Sequence, residues 1–228
     1  MKTAFARTSN VNAFAAAMTR LQNRQAGVPG MALVSGAPGL GKTRTAIWYA
    51  AQDSKVIYLR AKALMTPRGL LEELASELKA APSRRAFELF INCRQKLKEI
   101  PGVMILVDEV DYLFHDVRMI DTLRDLHDDS GAAVVMLGMD AIDRKLSQHQ
   151  HLYDRFAEVV KFRELSATDV KTVFDQLCDV RLSDDAVRLV HQDAKRFRQI
   201  VRWLYKAEAV ARANSLKEIT ADKLGGMK

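Results

Sequence analysis

Cysteine is scarce: Cys93 and Cys178 are the only two in 228 residues. They form no C-x-x-C pair and no zinc-like spacing with His115, His127, His149, His151 or His191. Neither a disulfide framework nor a structural zinc is therefore expected, and two reduced thiols fit a cytosolic protein. No apolar run approaches the roughly 18 residues that would span a bilayer, which leaves membrane partners out of the expectation. Internal repeats, low-complexity tracts and long linkers are missing too. Acidic residues are absent before Asp53, whereas Lys2, Arg7, Arg20 and Arg24 are basic. That opening lacks a secretory pattern. It has the Ala/Arg bias of a mitochondrial presequence, but it reads better as a short amphipathic helix. Val11, Phe14, Ala15, Met18 and Leu21 then share one face, Ser9 or Asn10 caps the start, and residues 27–30 end it.

The chain does have length enough for one full core plus a small appended domain. Its 35 Lys+Arg against 28 Asp+Glu give a formal charge of +7, which favours an acidic partner such as nucleic acid.

Residues 36–43 read Gly-Ala-Pro-Gly-Leu-Gly-Lys-Thr and fit G-x-x-x-x-G-K-[ST]. An apolar run at 31–34 enters the motif and a helix-competent stretch at 45–51 leaves it, the strand–loop–helix context that the motif requires. Gly36, Gly39 and Gly41 let the backbone turn and aim N–H groups at phosphate oxygens. Pro38 stiffens the turn, and the following helix adds its dipole. Ala37, Leu40 and Arg44 complete the candidate nucleotide-binding stretch. Lys42 supplies a charge between the β- and γ-phosphates of ATP, and the Thr43 hydroxyl a ligand for Mg²⁺. Without an anion, a buried Gly-Lys-Thr turn would leave an ammonium unpaired, which is costly.

Further along, the apolar residues 103–107 end in Asp108 and Glu109. Five such residues predict a central parallel strand, buried on both faces, that delivers its carboxylates at the strand's C-terminal edge. Open α/β sheets bind ligands at that edge. Asp108 is the candidate for holding the Mg²⁺ water shell, and Glu109 for polarising the water that attacks the γ-phosphate.

Other segments alternate strand and helix. Residues 55–60 predict a second strand, followed by a basic loop with Lys62 and Arg68. Pro67 opens a helix capped by Thr66, with Leu70, Leu71, Leu74 and Leu78 on its buried side. Pro82 and Ser83 start another, placing Arg84 and Arg85 in its first turn, the unfavourable end of the dipole for a cation unless an anion is near. Val117, Ile120, Leu123 and Leu126 mark a helix, 132–138 a fourth strand and 157–162 a fifth, so the reading is a five-stranded parallel sheet flanked by helices. From Leu165 the pattern is helical only. Ser166 and Asp169 form a capping box, Ser183 caps a second helix, a long third covers 194–213, and Thr220 starts a last one. The expected organisation is an N-terminal helix at 1–30, an α/β domain at 31–163 and a small all-helical lid at 164–228.

This combination of P-loop, strand-end Asp-Glu, sheet and lid resembles an AAA+ ATPase. Within that class the chain is similar to the MuB/TnsC-like ATPases that regulate target choice in DNA transposition. The likeness is closest at 133–140, Leu152-Tyr153-Asp154-Arg155-Phe156 and Leu165-Ser166-Ala167-Thr168-Asp169. It implies that Arg155 is an arginine finger reaching the γ-phosphate of a neighbouring subunit's ATP, worth about 10³ to 10⁵ in rate where it operates. It also implies that Arg196 or Arg198 is the sensor 2 arginine. The implied function is ATP-dependent, largely sequence-nonspecific binding to double-stranded DNA by a homo-oligomer, a filament or ring, that recruits or activates a transposase. The implied setting is a bacterial cytoplasm, or the host's for a phage protein. Lys62, Arg68, Arg84 and Arg85 are the candidate DNA-binding residues.

Two departures bear on mechanism. Met139 stands at sensor 1, where the family carries a polar residue, and a thioether cannot hydrogen-bond the attacking water as an amide or hydroxyl does. Asp140 beside it would repel a triphosphate, so intrinsic turnover is expected to be slow. About 30 residues precede the first strand, too few for the helix-turn-helix that some relatives carry. The competing readings are a helicase-loader or replication-initiator type of AAA+ ATPase, and an AAA+ scaffold that needs no DNA.

Overall fold

Four to six apolar residues without polar alternation must be covered on both faces, and three such runs become the central strands of one parallel sheet. The computed structural model describes residues 2, 4–25, 27–147 and 150–225; His149 lies outside them. Two units make up the chain: Met1–Ala13, Ala37–Gly41 and Phe162–Lys228 form the first, Phe14–Gly36 and Lys42–Lys161 the second.

Helix α1 (Ser9–Gln22) buries Val11, Phe14, Ala17, Met18 and Leu21. Ala17 takes the place the sequence reading gave to Ala15, which is only half-buried. Ser9 and Asn10 do not act as caps. Within the first unit, the Ser9 hydroxyl instead donates to Asp169 in the first turn of the lid's first helix, and the Asn10 amide to the Arg163 carbonyl ahead of that helix.

The second unit continues as β1 (Met31–Ser35), α2 (Lys42–Ala50), β2 (Val56–Arg60), α3 (Pro67–Glu77), α4 (Ala86–Glu99) and β3 (Met104–Asp108). A 3₁₀ turn (Val110–His115) leads to α5 (Val117–Ser130), β4 (Ala133–Gly138), α6 (Ala141–Ser147), α7 (Gln150–Tyr153) and β5 (Phe156–Lys161). The strands pair in parallel in the order β2-β3-β4-β1-β5. Every residue of β1, β3 and β4 is buried, whereas the edge strand β5 alternates. Consecutive strands β1 and β2 are separated by β4 and β3, so the end of β1 lies beside the end of β4 and one strand away from the end of β3. This is the five-stranded α/β sheet that the sequence predicts.

Helix α3 starts as read, with the Thr66 hydroxyl accepting the Gly69 N–H at 3.1 Å. The next helix does not. It begins at Ala86, so Arg84 and Arg85 precede it rather than occupy its first turn. The Ser83 hydroxyl accepts the Arg85 N–H and donates to Glu88, closing a turn that holds the chain out of the helix until Ala86. Strand β5 begins at Phe156, one residue before the expected start.

The lid segment holds α8 (Ala167–Leu177), β6 (Arg181–Leu182), α9 (Asp184–Asp193), α10 (Phe197–Asn214), β7 (Glu218–Ile219) and α11 (Ala221–Gly225). A two-residue parallel pair, β6 with β7, adds to the predicted helices. The Ser166–Asp169 capping box is present. Ser183 precedes α9 as expected, but its hydroxyl donates to the Ile219 carbonyl beside the β6–β7 pair and caps nothing. Val170, Phe174, Val190, Ile200, Leu204 and Ile219 build the lid's own core. Asp169 also ties the start of α1 to this unit, accepting the Ser9 N–H at 2.6 Å and the Ser9 hydroxyl at 2.8 Å. Burial would raise its pKa, but these bonds and those from Ser166 outweigh it and hold the carboxyl below its ordinary range.

Candidate nucleotide site

Strand β1 ends at Ser35 and passes into Gly36; residues 37–41 make the turn, and Lys42, Thr43 and Arg44 open α2. Gly39 (φ 85°) and Gly41 (φ 101°) occupy the left-handed region, where a Cβ is strained, so glycine is required at both. A Cβ built on Gly41 meets nothing within 4 Å. The loop thus presents open space next to its backbone, room that a phosphate can fill.

In the sheet unit, the Lys42 ammonium donates to the Gly36 carbonyl. Burial lowers its pKa, opposed by the carboxylates of Asp108, Asp140, Glu109 and Asp111. A partly desolvated ammonium gains from an added anion. Thr43 is half-buried and Arg44 exposed.

Asp108 is the last residue of β3 and almost fully buried. Its carboxylate accepts the Tyr58 hydroxyl at 3.0 Å and the Glu109 N–H at 2.9 Å, which fixes its orientation. Tyr58 was not singled out from sequence; its place two residues before the end of β2, the strand that neighbours β3, is the signal that could have found it. Burial, then the Asp108 charge, pushes the Tyr58 phenol well up, so it stays a donor. Glu109 sits at φ 57°, in the left-handed region uncommon for a side-chain-bearing residue, and its carboxylate lies 3.7 Å from Arg60. A strained, partly exposed carboxylate directly after a strand end has the geometry of a group held for use rather than for packing. Asp111, also not predicted, accepts the Met139 N–H at 2.7 Å.

Within the second unit, Lys42, Thr43 and Asp108 fit the chemistry of a magnesium nucleotide: a threonine hydroxyl and a buried carboxylate as oxygen ligands and a lysine for the phosphates.

In the first unit, the turn residues meet the start of α10. The Arg198 N–H donates to the Gly39 carbonyl at 3.1 Å, and a Cβ on Gly39 would lie 3.4 Å from the Arg198 Cβ and 3.9 Å from the Arg196 Cβ. Arg196 is the residue before α10 and Arg198 lies in its first turn; both side chains are exposed. Both candidate sensor 2 arginines therefore flank the same glycine.

Arg155 is placed elsewhere. It immediately precedes β5, and its carbonyl accepts the Met31 N–H at the start of β1. From Met31 to Gly36 the strand covers roughly 17 Å, so Arg155 and Lys42 belong to opposite ends of the sheet. The guanidinium of Arg155 pairs with Asp128 at 3.1 Å, both side chains more than a third exposed.

Of the basic residues assigned to DNA, Lys62 follows β2 and pairs with Glu73, Arg68 in α3 pairs with Glu72 at 2.8 Å, and Arg85 with Glu88 at 3.3 Å. Arg68 also donates to the Arg84 carbonyl, bringing α3 and the segment before α4 together. The four belong to the second unit, and the three ion pairs of Lys62, Arg68 and Arg85 are exposed and worth little.

Among the described residues no helix is long and apolar enough to cross a membrane. A family model described as an AAA domain matches residues 25–146, over half of the chain. A "potential ATP-binding protein" of Staphylococcus aureus is 28% identical over 129 residues, 52% of this chain and 47% of that protein, so the match spans about half of that relative's length. The fold is similar to the Aeropyrum pernix ORC1 protein in complex with DNA, with a TM-score of 0.64, 16% identity and coverage of 96% of this chain and 63% of that one. It is similar as well to the RuvB Holliday junction branch migration motor of Thermotoga maritima, with a TM-score of 0.63, 18% identity and coverage of 96% and 67%.

Proposed function

This chain belongs to the AAA domain family, and from that premise we propose that it is an ATPase that assembles on double-stranded DNA as a homo-oligomeric filament and recruits or activates a transposase. The observation that carries the assembly step is the separation of Arg155 from Lys42. An arginine at the opposite end of the sheet cannot reach its own nucleotide; in a head-to-tail array it faces the phosphates held by the next copy.

Lys42 meets the β- and γ-phosphates of ATP, and Arg196 or Arg198 is the sensor 2 arginine. Thr43 and Asp108 would hold Mg²⁺, which would supply charge neutralisation at the phosphate oxygens. Glu109 accepts a proton from the attacking water, and Arg155 of the neighbour stabilises the charge that develops. Met139 offers no polar group to that water, so turnover is slow and bound ATP acts chiefly as an assembly switch. Lys62, Arg68 and Arg85 exchange their glutamate partners for DNA phosphates, and Arg84 joins them, giving contacts that carry little sequence information. The transposase partner follows from the resemblance to MuB/TnsC-like proteins at Leu152 to Phe156 and 133–140.

A replication-initiator or helicase-loader role is the second reading, and the likeness to the ORC1 protein in complex with DNA favours it. Both readings predict ATP-dependent retention on random duplex, lost in Lys42→Ala; a protein that ignores DNA would be an AAA+ scaffold. Electron microscopy with duplex DNA and a non-hydrolysable ATP analogue separates them further. The filament reading expects continuous helical arrays that persist with ATP in Glu109→Gln, and discrete particles under every condition would sink it.

A further inference from the structure

A polar groove of about 580 Å³ opens at the end of the sheet where the parallel strands begin, and Arg24, His127, Asp128 and Arg155 all line it. Among the described residues its lining holds two guanidiniums and one carboxylate. Asp128 is committed to Arg155. His127 adds no charge as placed: one ring nitrogen accepts the Gly30 N–H at 3.2 Å while the other donates to the Ala132 carbonyl at 2.7 Å. That pattern is the neutral tautomer.

Arg24 is left without a countercharge. It donates to the carbonyls of Leu21 at 3.0 Å and Gly131 at 2.6 Å, and among the described residues no carboxylate pairs with it. Its position is built rather than incidental. A Cβ on Gly30 would come within 2.6 Å of both the Arg24 guanidinium carbon and the His127 ring, so only glycine lets the two pack there. Partial burial lowers the Arg24 pKa, the direction expected of a cation denied a counterion. A guanidinium has five N–H donors, and two carbonyl bonds leave others for a ligand.

We propose that Arg24 is a second arginine acting in trans, which with Arg155 presents positive charge to the triphosphate held by the P-loop of a neighbouring copy. This rests on the assembly proposed above and adds a residue to it. Two arginines of one groove then close on the same anion, and the Arg155–Asp128 pair opens as Arg155 turns to the phosphates.

The test is mixing of full-length variants, read as ATP turnover with duplex DNA. Arg24→Gln alone is expected to turn over about tenfold slower or worse. Lys42→Ala alone is inactive, yet it carries an intact Arg24. Mixed together, the two should recover turnover well above their sum, because the Lys42→Ala copy lends Arg24 to the Arg24→Gln copy's ATP. Arg155→Ala mixed with Lys42→Ala is the control. Recovery in the control but not with Arg24→Gln overturns the proposal, as does wild-type turnover of Arg24→Gln alone. Recovery in neither mixture removes the trans site itself, and this inference with it. Arg24→Lys keeps the charge without the two-carbonyl clasp and is expected to retain part of the turnover. If it fails as fully as Arg24→Gln and both melt below wild type, the clasp is the role of Arg24 and the proposal falls.

Discussion

Asp111 holds the backbone of Met139, its carboxylate accepting the Met139 N–H at 2.7 Å. Gly138 makes this approach possible, since a Cβ there would lie 2.7 Å from the same oxygen and 2.6 Å from the Ile142 methyl. The segment after β3 is thereby fastened to the end of β4, and the Met139 side chain is left 43% exposed with no bond to give. Met139→Asn should place an amide at that strand end and raise ATP turnover about tenfold, the effect of one hydrogen bond of about 1.4 kcal/mol made in the transition state. Steady-state phosphate release checks it; an unchanged rate would mean that Met139 does not limit turnover. Gly138→Ala should instead cost about 1 to 3 kcal/mol of stability through overpacking, read from thermal melting.

The pair of Arg155 with Asp128 predicts a separable effect on assembly. Both groups are more than a third exposed, so Asp128→Asn should change stability by no more than about 1 kcal/mol. It frees Arg155 for another anion. ATP-dependent light scattering should accordingly appear at a lower protein concentration than in wild type, and a shift to higher concentration would contradict the trans role of Arg155.

Neutralising the basic region around α3 and α4 should act through salt. Each of Lys62→Ala, Arg68→Ala, Arg84→Ala and Arg85→Ala that removes a phosphate contact should flatten the dependence of log affinity on log salt by about 0.9. The measurement is duplex binding by fluorescence anisotropy across a salt series. Four unchanged slopes would move the DNA surface elsewhere.

His127 predicts a pH dependence of stability. Burial, opposed by the bond to the Ala132 carbonyl, lowers its pKa below the ordinary 6.5. The unfolded chain therefore binds this proton more readily than the folded one, and the stabilisation is complete above pH 6.5. It is lost as the pH falls through the depressed folded value. Protonation also turns the acceptor facing the Gly30 N–H into a donor, breaking that bond. Thermal melting of wild type should drop more steeply below pH 6.5 than that of His127→Gln. Parallel curves would show that His127 is not the group titrating.

Much of the site was legible because its rules are local. The glycines at 39 and 41 are needed for positive φ, the helix start at Lys42 follows within one turn, and the apolar run ending in Asp108 is a buried strand by composition alone. Thr66 and Ser166 cap as read since their bonds close within three residues. Other nearby hydroxyls and amides misled: Ser83 delays α4, and Ser9, Asn10 and Ser183 bond partners brought near by folding rather than the helix beside them. Tyr58, Asp111 and Arg24 were missed, and each makes a bond to a residue 28 to 107 positions away in the chain.

By itself the sequence determined a P-loop, its carboxylate strand and a parallel sheet, because backbone freedom, capping and two-sided burial are properties of a few consecutive residues. Only the tertiary structure decided that Arg155 stands at the far end of the sheet from Lys42, that Asp111 grips Met139, and that Arg24 packs against Gly30. Strand order and close packing set those distances, and packing brings together residues whose separation along the chain carries no trace of it.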